Sequence, residues 1–274
     1  MEFSVLISVY YKEKIENFVT AIDSAINQTI VPNEIVLVKD GPLTFDLDSA
    51  ILNYQNTYPG LFSVIELPEN KGLGEALGIG IQKCRFPWVA RMDTDDICVY
   101  NRFEKQIAFI EQNPGIDILS GYILEFDSET GVDLSVKKIP LNHKDAIHFF
   151  RSRSPINHVA VMLRKEKVLE SGNYKAFYLL EDYYLWARMI MHGSKIAGIP
   201  DILVKVRIDQ KTMFRRNHWK YFMSEFKLHK YFYDNKLISF SNFITNIGIR
   251  FFVRTSPVFF SKFIYKLIRQ YGPK

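Results

Sequence analysis

The chain has 274 residues, 47% hydrophobic and 15% aromatic, which is enough to pack a sizeable core and too apolar for a disordered polypeptide. Its two cysteines, Cys84 and Cys98, fall in no CxxC or Cys/His pattern, which excludes a disulfide framework and a zinc site and fits a reducing, cytoplasmic setting. The net charge of +5 is divided unevenly: residues 211–274 hold 13 basic and 2 acidic side chains, against 22 and 28 in residues 1–210, so the tail is expected to meet an anionic surface.

Residues 3–10 read as a first strand rather than a secretory leader, since no basic segment, longer apolar run or small-residue cleavage site is present. Ile15, Phe18, Val19, Ile22, Ala25 and Ile26 then recur at helical spacing, and Asn27-Gln28-Thr29 with Pro32 stops that helix. A second strand over 34–39 ends at the turn Asp40-Gly41-Pro42; a helix over 45–54 and a third strand over 62–67 follow. Gly72-Leu73-Gly74 opens a helix through residue 84, and 88–92 is the fourth strand. Further on, the pattern gives a helix over 102–112, a strand over 116–126, a helix near 144–150, a strand over 158–164 and a helix over 183–192 that follows Glu181-Asp182. Strands alternating with helices predict an α/β fold with a mixed, mostly parallel sheet flanked by helices.

Past about residue 211 the pattern changes. Phe240, Phe243, Ile244, Ile247 and Phe251 share one helical face; after Pro257, so do Phe259, Phe260, Phe263, Ile264, Leu267 and Ile268, opposite Lys262, Lys266 and Arg269. Charges interrupt this region too often for a membrane-spanning helix, which needs roughly 20 mostly apolar residues. Between an ordinary helix packed on the core and an in-plane amphipathic helix, the basic bias favours the latter, on an anionic membrane surface.

The chemistry centres on Trp88-Val89-Ala90-Arg91-Met92-Asp93-Thr94-Asp95-Asp96, an apolar run that ends in three carboxylates. Carboxylates crowded at a buried strand end repel one another, so a cation is expected among them, and hard oxygen donors suit Mn2+ or Mg2+. In open α/β sheets ligands sit at the carboxyl ends of the strands. Those ends carry Ser8-Val9-Tyr10, Asp40 and the acidic run, while Asn70-Lys71-Gly72 adds a helix N-terminus that favours phosphate. Gly72, Gly74, Gly78 and Gly80 lack the frame of a dinucleotide fingerprint, and tight helix packing accounts for them.

These motifs, with Ala25-Ile26-Asn27-Gln28-Thr29, Glu34-Ile35-Val36-Leu37-Val38, Lys71-Gly72-Leu73-Gly74-Glu75-Ala76-Leu77 and Asn101-Arg102-Phe103, resemble the family 2 glycosyltransferases of GT-A fold, a Rossmann-like nucleotide-sugar-binding architecture. More narrowly they resemble the bacterial enzymes that build O-antigen or capsular repeat units on a lipid carrier. The resemblance covers roughly residues 3–208 and rests on many short motifs in the right order. It implies a glycosyltransferase domain over 1–210, with a donor half to about 125 and an acceptor half beyond, followed by a helical extension over 211–274.

Carried over residue by residue, the resemblance implies that Val9, Tyr10 and Asp40 contact base and ribose, and that Lys71, Gly72 and Arg91 lie near the diphosphate. Asp93 would approach ribose or metal, Asp95 would bind the metal, and Thr94 and Asp96 would meet the nucleotide sugar. Glu181-Asp182 with its Leu-Trp-x-Arg continuation looks like the family's acceptor-side motif. A helix N-terminal acidic pair is ordinarily explained by the macrodipole; the continuation and the upstream motifs argue for a chemical role. An inverting transfer is one displacement and needs one base, assigned to Asp182, with Glu181 holding the acceptor or positioning that base. His158, Trp186 and Arg188 are expected on the acceptor side.

The expected activity is inverting, metal-dependent transfer of a hexose, glucose or galactose, from a UDP-sugar to a sugar on a polyprenyl-diphosphate carrier. The enzyme is expected on the inner face of the cytoplasmic membrane. A Mg2+-dependent phosphatase built on the Asp-x-Asp cluster is the alternative, although its nucleophile strand normally comes first in the chain. A nucleic-acid binder is disfavoured, because the acidic core would repel phosphates.

Overall fold

The apolar run Phe-Ser-Val-Leu-Ile-Ser-Val forms β1 (Phe3–Val9), the middle of the parallel half of a mixed sheet, in a computed structural model that describes residues 1–209 and 219–255. β2 (Glu34–Lys39) and β4 (Trp88–Met92) flank it in parallel, and β3 (Phe62–Glu66) adds to β2. The connecting helices are α1 (Ile15–Ile26), α2 (Phe45–Thr57) and α3 (Leu73–Lys83). After β4 come β5 (Ile97–Cys98), α4 (Arg102–Gln112), β6 (Ile118–Asp127), β7 (Asp133–Lys137) and α5 (His143–Phe150). A 3-10 turn (His158–Ala160), β8 (Met162–Arg164), α6 (Lys165–Glu170), α7 (Glu181–Met191) and β9 (Ile196–Ile208) follow, then the helices α8 (Trp219–Asp234) and α9 (Phe240–Thr255).

The strand order is β3-β2-β1-β4-β8-β6-β9-β5, with β7 on β6. β6 and β9 run parallel, whereas β8 pairs antiparallel with both β4 and β6. A sheet covered on both faces needs strands that are apolar throughout. Phe3, Val5, Ile7 and Val9 accordingly pack with Phe18, Ile22 and Phe103 on one side. Leu6 packs with Val36, Val38, Leu77 and Trp186 on the other. The same period of two puts Ala90 and Met92 on the first face and Val89 on the second, so Arg91 belongs to the face covered by α3 and α7. Chain order reverses direction between β1 and β4, the switch point at which such sheets bind ligands.

The structure departs from the sequence expectations in particular places. The expected strand over 158–164 is a 3-10 turn followed by the short β8. β5, β7 and β9 have no counterpart among the expected strands; Gly198 and Pro200 interrupt the apolar run of β9 and hide it. The helix expected from residue 183 begins at Glu181, which places both acidic residues in its first turn. α8 and α9 form a hairpin, and Leu228, Phe232 and Ile238 enter the main core cluster with Phe243 packed against it. The apolar face expected on an anionic membrane surface is divided: Phe243 turns inward, while Phe240, Ile244 and Phe251 stay exposed. The amphipathic pattern after Pro257 lies outside the described residues. No helix among the described residues is long and apolar enough to cross a membrane.

Candidate active site

The donor side is assembled at the ends of β1 and β2. Asp40 is buried, its backbone N–H donates to the Val9 carbonyl at 2.8 Å, and its carboxylate accepts from Lys71 N (2.7 Å), Gly72 N (3.0 Å) and Asn70 Nδ2 (3.0 Å). The carboxylate thus builds the loop that leads into α3. Oδ1 accepts only the Lys71 N–H and keeps a lone pair, so the expected contact with base or ribose stays open to it. Gly41 makes the closure feasible: its φ is +88°, and a Cβ there would meet Asn70 N at 2.7 Å. The Lys71 side chain stays exposed beside the N-terminus of α3, while the backbone N–H groups of Lys71 and Gly72 are taken up by Asp40. Val9 is buried in the core, while Tyr10 is 40% exposed beside the Tyr11 ring.

The acidic loop follows β4 directly. Arg91 is buried and its guanidinium donates to both carboxylate oxygens of Asp93, a fork geometry that carries specificity as well as energy. Its Nε has no partner among the described residues. One ligand oxygen from each of Asp93, Asp95 and Asp96 lies within 4.8 Å of the others. Asp96 is buried, and its Oδ1 accepts from the Arg207 backbone N–H at 3.0 Å, a contact made by β9. Asp95 keeps an exposed edge, yet protein crowds it elsewhere; that burial, with Asp93 and Glu13 nearby, raises its carboxyl to about 7. Burial, then Asp95 and Asp93, likewise push Asp96 well above the usual carboxylate range. Such a cluster of hard oxygen donors, short of positive charge, fits a divalent cation of the Mn2+ or Mg2+ kind.

Thr94 is tied to the segment before α1. Its hydroxyl donates to Glu13 Oε2 at 2.6 Å and is buried there, which holds the loop between Asp93 and Asp95 in place. Glu13 is a fourth carboxylate at this site, and no sequence motif marks it. Behind the loop, Arg102 is fully buried and donates to the Arg91 carbonyl at 2.8 Å, bracing the strand end.

The acceptor side is the first turn of α7. Glu181 and Asp182 sit where the helix dipole favours negative charge, and Gly74 lets this turn approach α3: a Cβ on Gly74 would meet Glu181 Cβ at 3.1 Å and the Lys175 carbonyl at 2.8 Å. Burial, then Asp182, raises the Glu181 carboxyl to about 7, with Arg91 opposing and Asp93 adding to the rise. Both halves of the site are therefore within electrostatic reach of each other. Tyr174 lies between them: its hydroxyl pairs with His158 Nε2 at 3.0 Å, and its ionisation is pushed up by burial, then moderated by Arg91 and raised by Asp182 and Glu181. His158 is held neutral by burial and by Arg91.

Two expected acceptor residues lie behind the site. Trp186 is completely buried, with its ring 5.8 Å from that of His158. Arg188 donates to the carbonyls of Ser171 (3.0 Å) and Asn173 (2.5 Å) and so fixes the turn before Tyr174. Each is one or two helical turns deeper than Glu181, at about 1.5 Å per residue. The Arg91 fork takes one hydrogen bond to each oxygen of Asp93, the first carboxylate of the Asp-x-Asp cluster.

Known proteins resemble the chain at two levels. The model of the family described as Glycosyl transferase family 2 matches residues 4–172. The amylovoran biosynthesis glycosyltransferase AmsE of Erwinia amylovora is 39% identical over 268 residues, 98% of this chain and 99% of that protein. The UDP-Gal:alpha-D-GlcNAc-diphosphoundecaprenol beta-1,3-galactosyltransferase of Escherichia coli is 36% identical over 267 residues, 97% of this chain and 96% of that protein. Among solved structures, S. aureus TarS superposes with a TM-score of 0.62 at 16% identity, over 84% of this chain and 39% of TarS. TarS 1-349 in complex with UDP-GlcNAc gives 0.63 at 16% identity, over 84% of this chain and 66% of that one. At these identities the structural likeness speaks for the fold, which is of the same GT-A type.

Proposed function

The chain belongs to glycosyl transferase family 2, and on that premise we propose that it moves galactose or glucose from a UDP-sugar to a sugar carried on a polyprenyl diphosphate, with inversion, during assembly of a bacterial O-antigen or capsule repeat unit. The observation that carries this reading is the convergence of the Arg91–Asp93 fork and the Glu181-Asp182 turn across the Gly74 contact. The E. coli relative, whose name specifies UDP-Gal and a diphosphoundecaprenol-linked acceptor, supports the choice of donor and carrier.

In this reading UDP lies along the ends of β1 and β4, with Tyr10 beside the base and Lys71 and Arg91 near the diphosphate. A Mn2+ or Mg2+ ion held by Asp95 with Asp93 would neutralise charge on the leaving diphosphate. Asp182 takes the proton of the acceptor hydroxyl as its oxygen bonds to the anomeric carbon and the bond from that carbon to the UDP oxygen breaks. Glu181, flanked by Asp182 and Arg91, positions acceptor and base; Arg91 opposes the growing negative charge on UDP. Residues 1–210 form the catalytic domain, and residues 211–274 hold it on the inner face of the cytoplasmic membrane, where the lipid-borne acceptor is found.

The test is a donor screen with a synthetic acyl-diphosphate-linked GlcNAc or GalNAc acceptor and Mn2+ or Mg2+. UDP release matched by glycosylated acceptor is expected. Release of inorganic phosphate without glycosylation would overturn the reading.

A further inference from the structure

We infer that the outward face of the α8–α9 hairpin is an in-plane docking surface for an anionic lipid bilayer, an inference that rests on the lipid-borne acceptor proposed above. The inward face fixes how the hairpin sits. Glu225 is buried and accepts from Arg254 Nε (2.9 Å) and Nη2 (3.0 Å). Asn246 donates to the Arg151 carbonyl at 2.7 Å, and Arg250 to the Ser152 carbonyl at 2.6 Å. Phe232 is wedged between Phe150 and Tyr183, with ring centroids at 4.8 and 5.0 Å. With one side bound in this way, the opposite side can face only outward.

That outward side carries exposed apolar side chains on both helices. Phe240 is 61% exposed, Ile244 53%, Phe252 66% and Trp219 60%. At one end Trp219 and Phe251 both pack on the buried Phe222, at 5.1 and 5.6 Å, with Phe252 5.9 Å from Phe251; at the other Tyr233 lies 5.8 Å from Phe240. Large apolar side chains left exposed in such number on one face mark an interaction surface. The charges around it decide the partner. Lys220, Lys227, Lys230 and Lys236 are exposed on the same hairpin, whereas its acids are Glu225, buried against arginine, and Asp234, paired with Lys230 at 2.6 Å. Two copies meeting through this face would oppose like charges; an anionic bilayer offers the complement, with apolar side chains at the acyl boundary and lysines at the headgroups.

The same hairpin touches the acceptor side. Ser224 donates to the Tyr178 carbonyl at 2.8 Å, and Lys220 Nζ lies 4.2 Å from the centre of the Tyr178 ring, in the segment leading to Glu181. Docking therefore orients the Glu181-Asp182 turn relative to the membrane plane, from which a lipid-linked sugar would arrive.

The full chain, mixed with vesicles of phosphatidylcholine alone or with phosphatidylglycerol added, tests this by co-sedimentation and tryptophan emission. Trp88 and Trp186 are buried, so a shift reports Trp219. Expected are salt-sensitive binding to the anionic vesicles alone and a blue shift. Roughly tenfold or greater loss of partition is expected in the variant Phe240→Ser, Ile244→Ser, Phe252→Ser with melting temperature unchanged. Lys227→Glu with Lys230→Glu, outside that apolar set, is expected to weaken the same binding and serves if the triple variant misfolds. Undiminished binding in both variants, or an unshifted emission, locates attachment elsewhere and overturns the inference while the transferase reading stands. Absence of wild-type binding to anionic vesicles also overturns it, and loss of glycosyl transfer in the donor screen separately overturns the function. A lipid-free dimer that the triple substitution dissociates assigns the face to self-association and equally overturns it.

Discussion

Arg91 holds both carboxylate oxygens of Asp93, two residues further along, at the point where β4 leaves the sheet. The clasp joins the loop proposed to hold the cation to the arginine proposed to face the diphosphate. Lysine keeps the charge but cannot form the fork. Arg91→Lys is expected to weaken UDP binding by about tenfold or more, measured by calorimetry in the presence of Mn2+, with an unchanged dissociation constant counting against the assigned role.

At Gly74 the helix α3 meets the first turn of α7 closely. A methyl there would press on the Lys175 backbone carbonyl, which cannot swing aside as a flexible side chain can. Gly74→Ala should displace the first turn of α7, destabilise by about 1–3 kcal/mol, and lower kcat more than it alters UDP affinity. Melting curves with steady-state kinetics check both parts; equal changes in kcat and UDP affinity would indicate a general loss of structure instead.

Glu181 gives a pH dependence of stability with a defined sign. Its carboxyl rises from 4.5 in the ordinary case to about 7 in the folded chain. The folded state then binds the proton more tightly than the unfolded state, so this stabilisation is complete below about 4.5 and lost as pH rises through about 7. Melting temperature should fall between those limits, and Glu181→Gln should flatten the fall while Asp95 retains its own share. An identical slope in the variant would show that Glu181 is not the group responsible.

Much of the site is legible in its motifs. The acidic run and the Glu181-Asp182 pair are contiguous in sequence, so their chemistry is visible in the letters. What stays hidden depends on contacts between distant segments: Glu13 reaches Thr94, Tyr174 reaches His158, and Arg207 reaches Asp96. No local pattern encodes those pairings. Trp186 and Arg188 follow Glu181 closely in the motif, yet helical rise carries both into buried positions that the motif does not reveal. Asp40 closes its loop through the backbone N–H groups of Lys71 and Gly72, a pairing that spacing does not show.

The cation assignment is open to a direct titration. Asp95 offers an exposed edge beside Asp93 and Asp96, and Glu13 adds charge from α1's entry loop. Asp95→Asn should lower the affinity for Mn2+ alone by roughly tenfold or more, followed by electron paramagnetic resonance of the free ion. Glu13→Gln should have a smaller effect in the same direction. Wild-type Mn2+ affinity in Asp95→Asn would contradict the assignment.

Asp182, in the first turn of α7, is the residue proposed to act as the base. UDP release by Asp182→Asn, at saturating UDP-sugar and lipid-linked acceptor, tests that claim most directly, with UDP affinity measured alongside. The account predicts a fall in kcat of roughly 10²- to 10⁴-fold with UDP binding unchanged, and a variant that turns over within a few fold of wild type would contradict it.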